Sequence, residues 1–215
     1  MRIRKKKWTK KWWEGNNSLL LENSSIINDI ILIKNKRLNL EIGCGKGDFI
    51  INKSVNEKDN IFIGLEKDPT ILAVAMRKFK EKINPVNNNL YFSNILAQNI
   101  SEYFPKEKFK KIFLNFSDPW PKKHQAKRRL THISFLKIYY NLLVNGGTIE
   151  FKTDNDNLFL FTIEQVKLFE NFLITYKTSD LYSDTFEIVN NVQTEYETKF
   201  LEKNVKIKKM VLQKL

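Results

Sequence analysis

Short apolar runs alternate with stretches of helical spacing along this chain. Leu38-Asn39-Leu40-Glu41-Ile42 predicts a strand closed by Gly43, and Phe49 to Val55 predict a first helix. Ile61-Phe62-Ile63-Gly64-Leu65 predicts a second strand. Thr70 to Lys82 then carries Ile71, Leu72, Val74, Ala75 and Phe79 at helical spacing, behind a Pro69 that suits a first turn. Asn89 to Phe92 and Lys111 to Phe116 predict a third and a fourth strand. Phe135 to Leu143 predicts a helix that stops at Asn145-Gly146-Gly147, a C-cap signal. Thr148 to Lys152 predicts a strand, Leu158 to Phe169 a helix and Phe172 to Tyr176 another strand. In the tail, Tyr196 to Leu201 and Val205 to Leu212 alternate like two antiparallel strands. The alternation as a whole predicts an α/β fold, a mostly parallel sheet with crossover helices.

No internal repeat or long Gly/Ser or Pro-rich linker interrupts this order, and 215 residues suit one α/β domain with a substantial core. The expected organisation is a basic N-terminal arm over residues 1–17 and a single domain over 18–215. No apolar run approaches the roughly 20 residues that span a bilayer. No apolar signal core follows the basic start. The single Cys44 excludes an internal disulfide framework and a cysteine-rich zinc site. His124 and His132 stand apart from other ligand types, so surface or capping roles are expected and no metal. A cytoplasmic protein with no membrane partner is the simplest expectation.

Charge changes the picture more than hydropathy does. The net charge of +13 favours a polyanionic partner, although a chain this rich in Lys, Asn, Ile and Phe also reflects AT-biased codon usage. The distribution decides between the two. Residues 1–13 carry seven basic side chains and no acid, and residues 122–129 carry five more and no acid. Two uninterrupted clusters point to nucleic acid. Trp8, Trp12 and Trp13 in the arm would pack it onto the domain or stack on bases.

Two constellations carry the chemistry. Glu41-Ile42-Gly43-Cys44-Gly45-Lys46-Gly47 joins the first strand to the first helix, where glycines let a ligand approach the backbone. A dinucleotide fits poorly, because the third glycine of that fingerprint would fall on Asp48 and Glu41 would repel a pyrophosphate. A cationic ligand such as S-adenosylmethionine fits better. Glu66 ends the second strand 19 residues after Gly47, the place for an acceptor of a ribose diol. Asn94, after the third strand, is placed to bond an adenine amine. The other constellation is Phe116-Ser117-Asp118-Pro119-Trp120-Pro121-Lys122-Lys123, which leads from a strand end into Lys127-Arg128-Arg129. A carboxylate, a rigid turn and a cationic patch therefore stand together.

The combination of LEIGCGKG, GLEKD, FSDPWPKK with KRR, FKTDN and TEYETKF, in order from about residue 38 to 201, resembles the bacterial tRNA (guanine-N7)-methyltransferases of the TrmB type. The resemblance implies a Rossmann-like class I methyltransferase, a three-layer αβα fold whose mostly parallel sheet has an antiparallel last strand. It implies S-adenosylmethionine as cofactor, tRNA as partner, and methyl transfer to guanine 46 of the variable loop. The alternative is a class I methyltransferase acting on another RNA or a small molecule. Carried over position by position, cofactor contacts fall on Glu41, Glu66, Asn94 and Asp118, with Gly43 and Gly45 in the loop. Substrate contacts fall on Lys122, Asp154 and Thr194-Glu195-Tyr196-Glu197. Two positions depart from the family pattern: Asn94 stands where Asp is usual, and His124-Gln125 where Arg-His is usual. Whether the protein works as a monomer or a homodimer is open at this point.

Guanine N7 carries a lone pair and no proton, so its methylation needs no general base. Positioning and electrostatics are then the expected means of catalysis. Asp118 is the expected catalytic carboxylate, in an orienting role. Asp118, Asp154 and Glu197 all qualify as acceptors from the guanine edge. Trp120 either stacks on the guanine or buttresses its loop. Lys122, Lys123, Lys127, Arg128 and Arg129 are expected to bind phosphates, and Cys44 to be a packing residue.

Overall fold

Strand β1 (Arg37–Ile42) is buried continuously from Leu38 onward, and β2 (Asn60–Leu65) from Ile61 onward. Unbroken burial without alternation belongs to strands covered on both faces, the condition of a parallel sheet under crossover helices. The computed structural model describes residues 17–21, 37–82, 89–185, 188 and 191–215. Residues 1–16 of the predicted basic arm, with Trp8, Trp12 and Trp13, lie outside the described residues. The chain divides into two compact units, Met1–Phe104 and Pro105–Leu215.

In the first unit β1 pairs in parallel with β2, and β2 with β3 (Leu90–Ser93). Leu20 adds an isolated parallel bridge to Phe92, and the Ser93 hydroxyl donates to the Leu21 carbonyl at 2.6 Å. Helix α1 (Asp48–Asn56) follows β1 and buries Phe49, Ile50 and Ile51; α2 (Pro69–Lys82) follows β2 and buries Leu72, Ala75, Met76 and Phe79. Asp68 caps α2, its carboxylate accepting from Thr70 N at 2.8 Å. A single short turn, α3 (Ile100–Tyr103), comes after β3.

In the second unit β4 (Phe109–Asn115) pairs in parallel with β5 (Leu143–Thr153). Strand β7 (Lys208–Lys214) runs antiparallel to both β5 and β6 (Phe172–Thr178). Helix α4 (Ile133–Leu142) precedes β5 and α5 (Asp156–Phe169) follows it. Asn155 caps α5, its side chain accepting from Leu158 N at 2.8 Å.

Two expectations are corrected here. Asn145-Gly146-Gly147 does not cap the helix: α4 ends at Leu142, and the glycines lie inside β5, where its pairing jumps from Phe109↔Leu143 to Lys111↔Thr148. An extra loop of strand absorbs the turn signal. The segment expected as a strand from Tyr196 to Leu201 is a helix, α6 (Glu195–Leu201). Thr194 caps it in a full capping box with Glu197, each satisfying a backbone N–H of the other. That local bond set outweighs the alternation that suggested a strand.

Candidate active site

The three parallel strands of the first unit end together, and their ends carry the residues expected to hold the cofactor. The loop after β1 is tied to β2 by Gly43 N and Cys44 N, both donating to the Leu65 carbonyl at 2.8 and 2.9 Å. Gly43 and Gly45 have φ of 80° and 56°, and a Cβ at either would have no atom within 4 Å. The chain is thus left-handed beside open space, a cradle in which a ligand can reach the backbone. Glu66 faces that loop. Its Oε2 accepts from Gly45 N at 3.2 Å and its Oε1 from Asp68 N at 3.0 Å. Each oxygen keeps a second lone pair, so the carboxylate is oriented but still able to receive two hydroxyls. Burial pushes its pKa up, and the two backbone N–H bonds only partly offset this.

Glu41 is 2% exposed at the end of β1, while Asn94 is exposed just beyond β3. Cys44 is buried and its thiol is driven well above its usual range, first by desolvation and then by Glu41 and Glu66. It is a packing group with no thiolate to offer. The donor set of this edge is an anionic, hydroxyl-accepting one beside an open glycine cradle. It fits a ligand with a ribose and a cationic centre, and so fits S-adenosylmethionine.

In the second unit the ends of β4 and β5 carry Asp118 and Asp154. Phe116 N donates to the Lys152 carbonyl at 2.9 Å and so continues the pairing of β4 with β5 past the strand end. Phe116 and Trp120 both take left-handed backbone conformations, with φ of 50° and 41°. Asp118 lies between these two strained positions and is exposed. Phe116 stacks on Phe200 at 5.7 Å and on Tyr196 at 6.3 Å between ring centroids. Tyr196 remains 60% exposed. The TEYE residues therefore divide. Tyr196 faces solvent, Glu195 pairs with Lys199 one helical turn on, and Thr194 is spent on the cap.

Glu197 turns inward. It has no exposure, and its carboxylate accepts from Lys152 at 2.7 Å, Tyr182 at 2.9 Å, Asn191 at 2.6 Å and Thr194 N at 3.2 Å. With four donors from its own chain, it anchors α6 to β5. Asp154 is half-buried, and its carbonyl accepts from Lys208 at 3.0 Å.

The basic cluster also divides. Lys123–Arg128 form a short 3-10 helix that keeps Lys123, Lys127 and the preceding Lys122 exposed. Arg128 lies over the Trp120 ring at 5.0 Å. Arg129 is half-buried, bonds the Pro119 and Trp120 carbonyls and lies over the Phe161 ring at 4.3 Å. The expectation that Arg129 is a phosphate ligand is not supported by this geometry, since its guanidinium is already engaged. Phe116 and Lys152 lie within the quoted FSDPWPKK and FKTDN motifs, but their roles, stacking on Tyr196 and Phe200 and pairing with Glu197, come from the structure. Lys152 had a signal of a kind, a lysine next to Phe151 at the end of an expected strand. Among the described residues no group of three or more His, Cys, Asp or Glu side chains could hold a metal ion, and no helix is long and apolar enough to cross a membrane.

The fold and these strand-end sites define an α/β methyltransferase. An antibiotic-related methyltransferase superposes with a TM-score of 0.64 over 92% of this chain and 97% of its own, at 16% identity. The 16S rRNA methyltransferase KamB does so with a TM-score of 0.66 over 90% and 95%, at 10% identity. At such identities the likeness shows the fold alone. Sequence takes the assignment further. Residues 35–210 match the family described as putative methyltransferase. The chain is 43% identical to the tRNA (guanine-N(7)-)-methyltransferase of Mesoplasma florum, covering 100% of this chain and 99% of that one. It is 42% identical to the enzyme of the same name from Mycoplasma mycoides, over the whole of both chains. The chain belongs to the tRNA (guanine-N(7)-)-methyltransferase family.

Proposed function

We propose that this protein methylates N7 of a guanine in tRNA, guanine 46 of the variable loop, with S-adenosylmethionine as methyl donor. The observation that carries the reading is the Glu66–Gly45 clamp beside the open glycine cradle, joined to 43% identity along the whole chain with an enzyme of that name. When bound, S-adenosylmethionine supplies an electrophilic methyl carbon held on a sulfonium. Glu66 accepts the ribose hydroxyls, Glu41 supplies negative charge toward the cationic part of the ligand, and the backbone at Gly43 and Gly45 lets it lie close. Asn94 accepts from the adenine amine through its side-chain carbonyl.

On the substrate side, Asp118 and Asp154 accept from the N1–H and N2–H₂ groups of the guanine edge, a donor pair no other base presents. As the purine ring gains positive charge, these carboxylates stabilise it. No residue has to remove a proton, because N7 carries none. Tyr196 offers its ring to a base, and Lys122, Lys123 and Lys127 bind phosphates, so affinity falls steeply with salt. Glu197 and Thr194 act by holding α6 in place. The protein works as one catalytic domain over residues 18–215 preceded by the basic arm, in the cytoplasm.

The test is transfer of labelled methyl from S-adenosylmethionine to unmodified tRNA transcripts with the variable-loop guanine present or replaced by adenine. Label recovered as 7-methylguanosine only when the guanine is present establishes cofactor, substrate and position together. Label that persists after the replacement overturns the position, and measurable cofactor binding without transfer points to another RNA or a small acceptor.

A further inference from the structure

The turn that carries Asp118 is held by an unusual set of contacts from one side chain. Arg129 Nε donates to the Pro119 carbonyl at 2.9 Å and to the Trp120 carbonyl at 3.3 Å, and Nη2 donates to the Trp120 carbonyl at 3.0 Å. Its guanidinium lies over the Phe161 ring at 4.3 Å, so its flat face is packed while its edge is bonded. Phe161 belongs to α5, which makes the latch a link between the turn and a helix of the same unit. Arg129 reaches this position because the preceding 3-10 helix closes with Arg129 N bonded to the Ala126 carbonyl at 3.1 Å, and His132 N then bonds the Arg129 carbonyl at 3.0 Å. Its neighbour Arg128 covers the Trp120 ring at 5.0 Å.

Trp120 needs such support. A non-glycine residue at φ 41° is strained, and it persists only where its surroundings over-determine it. Phe116, at φ 50° on the other side of Asp118, is held by the aromatic stack with Tyr196 and Phe200. Asp118 therefore sits at the middle of a five-residue span, Phe116 to Trp120, pinned at both ends, one end by ring stacking and the other by the arginine fork. A lysine could meet neither the two-carbonyl geometry nor the flat stacking on Phe161.

We infer that Arg129 is a positioning residue for Asp118 and not a phosphate ligand. This rests on the reading of Asp118 as the orienting carboxylate of the methyl transfer. A phosphate contact and a latch make opposite demands on a lysine. A phosphate contact tolerates Arg129→Lys, since charge is kept. A latch does not, since the fork is lost. Misplacement of about 1 Å in a positioned group costs on the order of a hundredfold in rate, so a partial loosening is expected to lower kcat about tenfold or more.

The experiment compares wild type, Arg129→Lys, Arg129→Met, Asp118→Asn and the Arg129→Lys/Asp118→Asn double variant in kcat, KM for tRNA, and the dependence of KM on salt, with Lys127→Gln as the reference for a phosphate contact. The expected result is a fall in kcat for Arg129→Lys with KM and salt slope unchanged, while Lys127→Gln raises KM and lowers the slope by about one. In the double variant the loss is expected to be smaller than the product of the two single losses, because the latch acts through the carboxylate. Wild-type kinetics for Arg129→Lys, a KM effect with a reduced slope for Arg129→Met, or a fully multiplicative double variant would each overturn the inference. Asp118→Asn at wild-type rate would instead sink the reading of Asp118, and is distinguishable because Arg129 need not be touched to see it. If Arg129→Lys fails to fold, Phe161→Leu removes the ring beneath the guanidinium and leaves the arginine. It is expected to show the same kcat-only loss at smaller amplitude, and an unchanged kcat in that variant would also overturn the latch.

Discussion

Lys152 Nζ donates to Glu197 Oε2 at 2.7 Å, with the two side chains 4% and 0% exposed. The lysine lies one residue before the end of β5 and the glutamate in the first turn of α6, so one ion pair ties the sheet to the helix that presents Tyr196. Asn191 Oδ1 and the Val192 carbonyl accept the remaining protons of Lys152, both at 3.1 Å, and Tyr182 and Asn191 bond the other glutamate oxygen. Every charge is compensated, as a buried pair requires.

Breaking the pair from one side leaves a buried charge without its partner. Lys152→Met or Glu197→Gln is expected to lower stability by about 3–5 kcal/mol, read as a shift of the urea midpoint. Replacing both with apolar residues should cost less than the sum of the single changes. Full additivity would show that the two groups are not coupled.

Cofactor affinity should depend on the charge of Glu66. Its pKa is raised from 4.5, mainly by desolvation, so it takes up a proton at higher pH than an ordinary glutamate and then loses acceptor strength. Affinity measured by calorimetry is expected to fall as pH drops toward a midpoint above 4.5, and Glu66→Gln should be weak at every pH with that dependence gone. Stability moves the other way. In the window between the unfolded and the raised folded pKa the native state binds more protons, so this group's contribution declines as pH rises. Affinity and stability moving in the same direction would contradict the assignment.

Tyr196 is expected to act through its ring. Base–aromatic stacking is worth about 1–3 kcal/mol, so Tyr196→Ala should raise KM for tRNA about tenfold while Tyr196→Phe stays near wild type. Steady-state kinetics decide it, and equal losses in the two variants would assign the role to the hydroxyl.

His132 caps α4, with its Nδ1 accepting from Ser134 N at 3.2 Å, which needs the neutral ring. Desolvation, then Lys127, lowers its pKa from 6.5. The unfolded chain therefore binds the proton more readily than the native one, and stability is expected to fall as pH drops below about 6.5. His132→Asn keeps a capping acceptor and should remove that component from the melting temperature measured across this range.

Strand order along the chain was legible because fully buried parallel strands are short apolar runs, and the glycines and acids sit at their ends. Glu41, Glu66 and Asp118 could be picked out by position alone. The tail was not legible by periodicity, since Tyr196 to Leu201 satisfies a strand pattern as well as a helical one. The Thr194-x-x-Glu197 box was present in the sequence and would have marked a helix start. Asn145-Gly146-Gly147 misled for a similar reason: a glycine pair suits a cap and a strand irregularity equally, and only the pairing of β4 with β5 chooses between them.

The sequence by itself determined which chemistries stand where: glycines after β1, an acid after β2, a carboxylate in a rigid turn, and cations behind it. Local spacing is enough for this, because these residues are close along the chain. Only the tertiary structure decided which charged groups face inward. Glu197 and Lys152 lie 45 residues apart and neutralise each other in the core, and Arg129 bonds carbonyls 9 and 10 residues before it while Lys127 stays outside. Burial and long-range pairing set the cost of a charge, and neither is written in the charge itself.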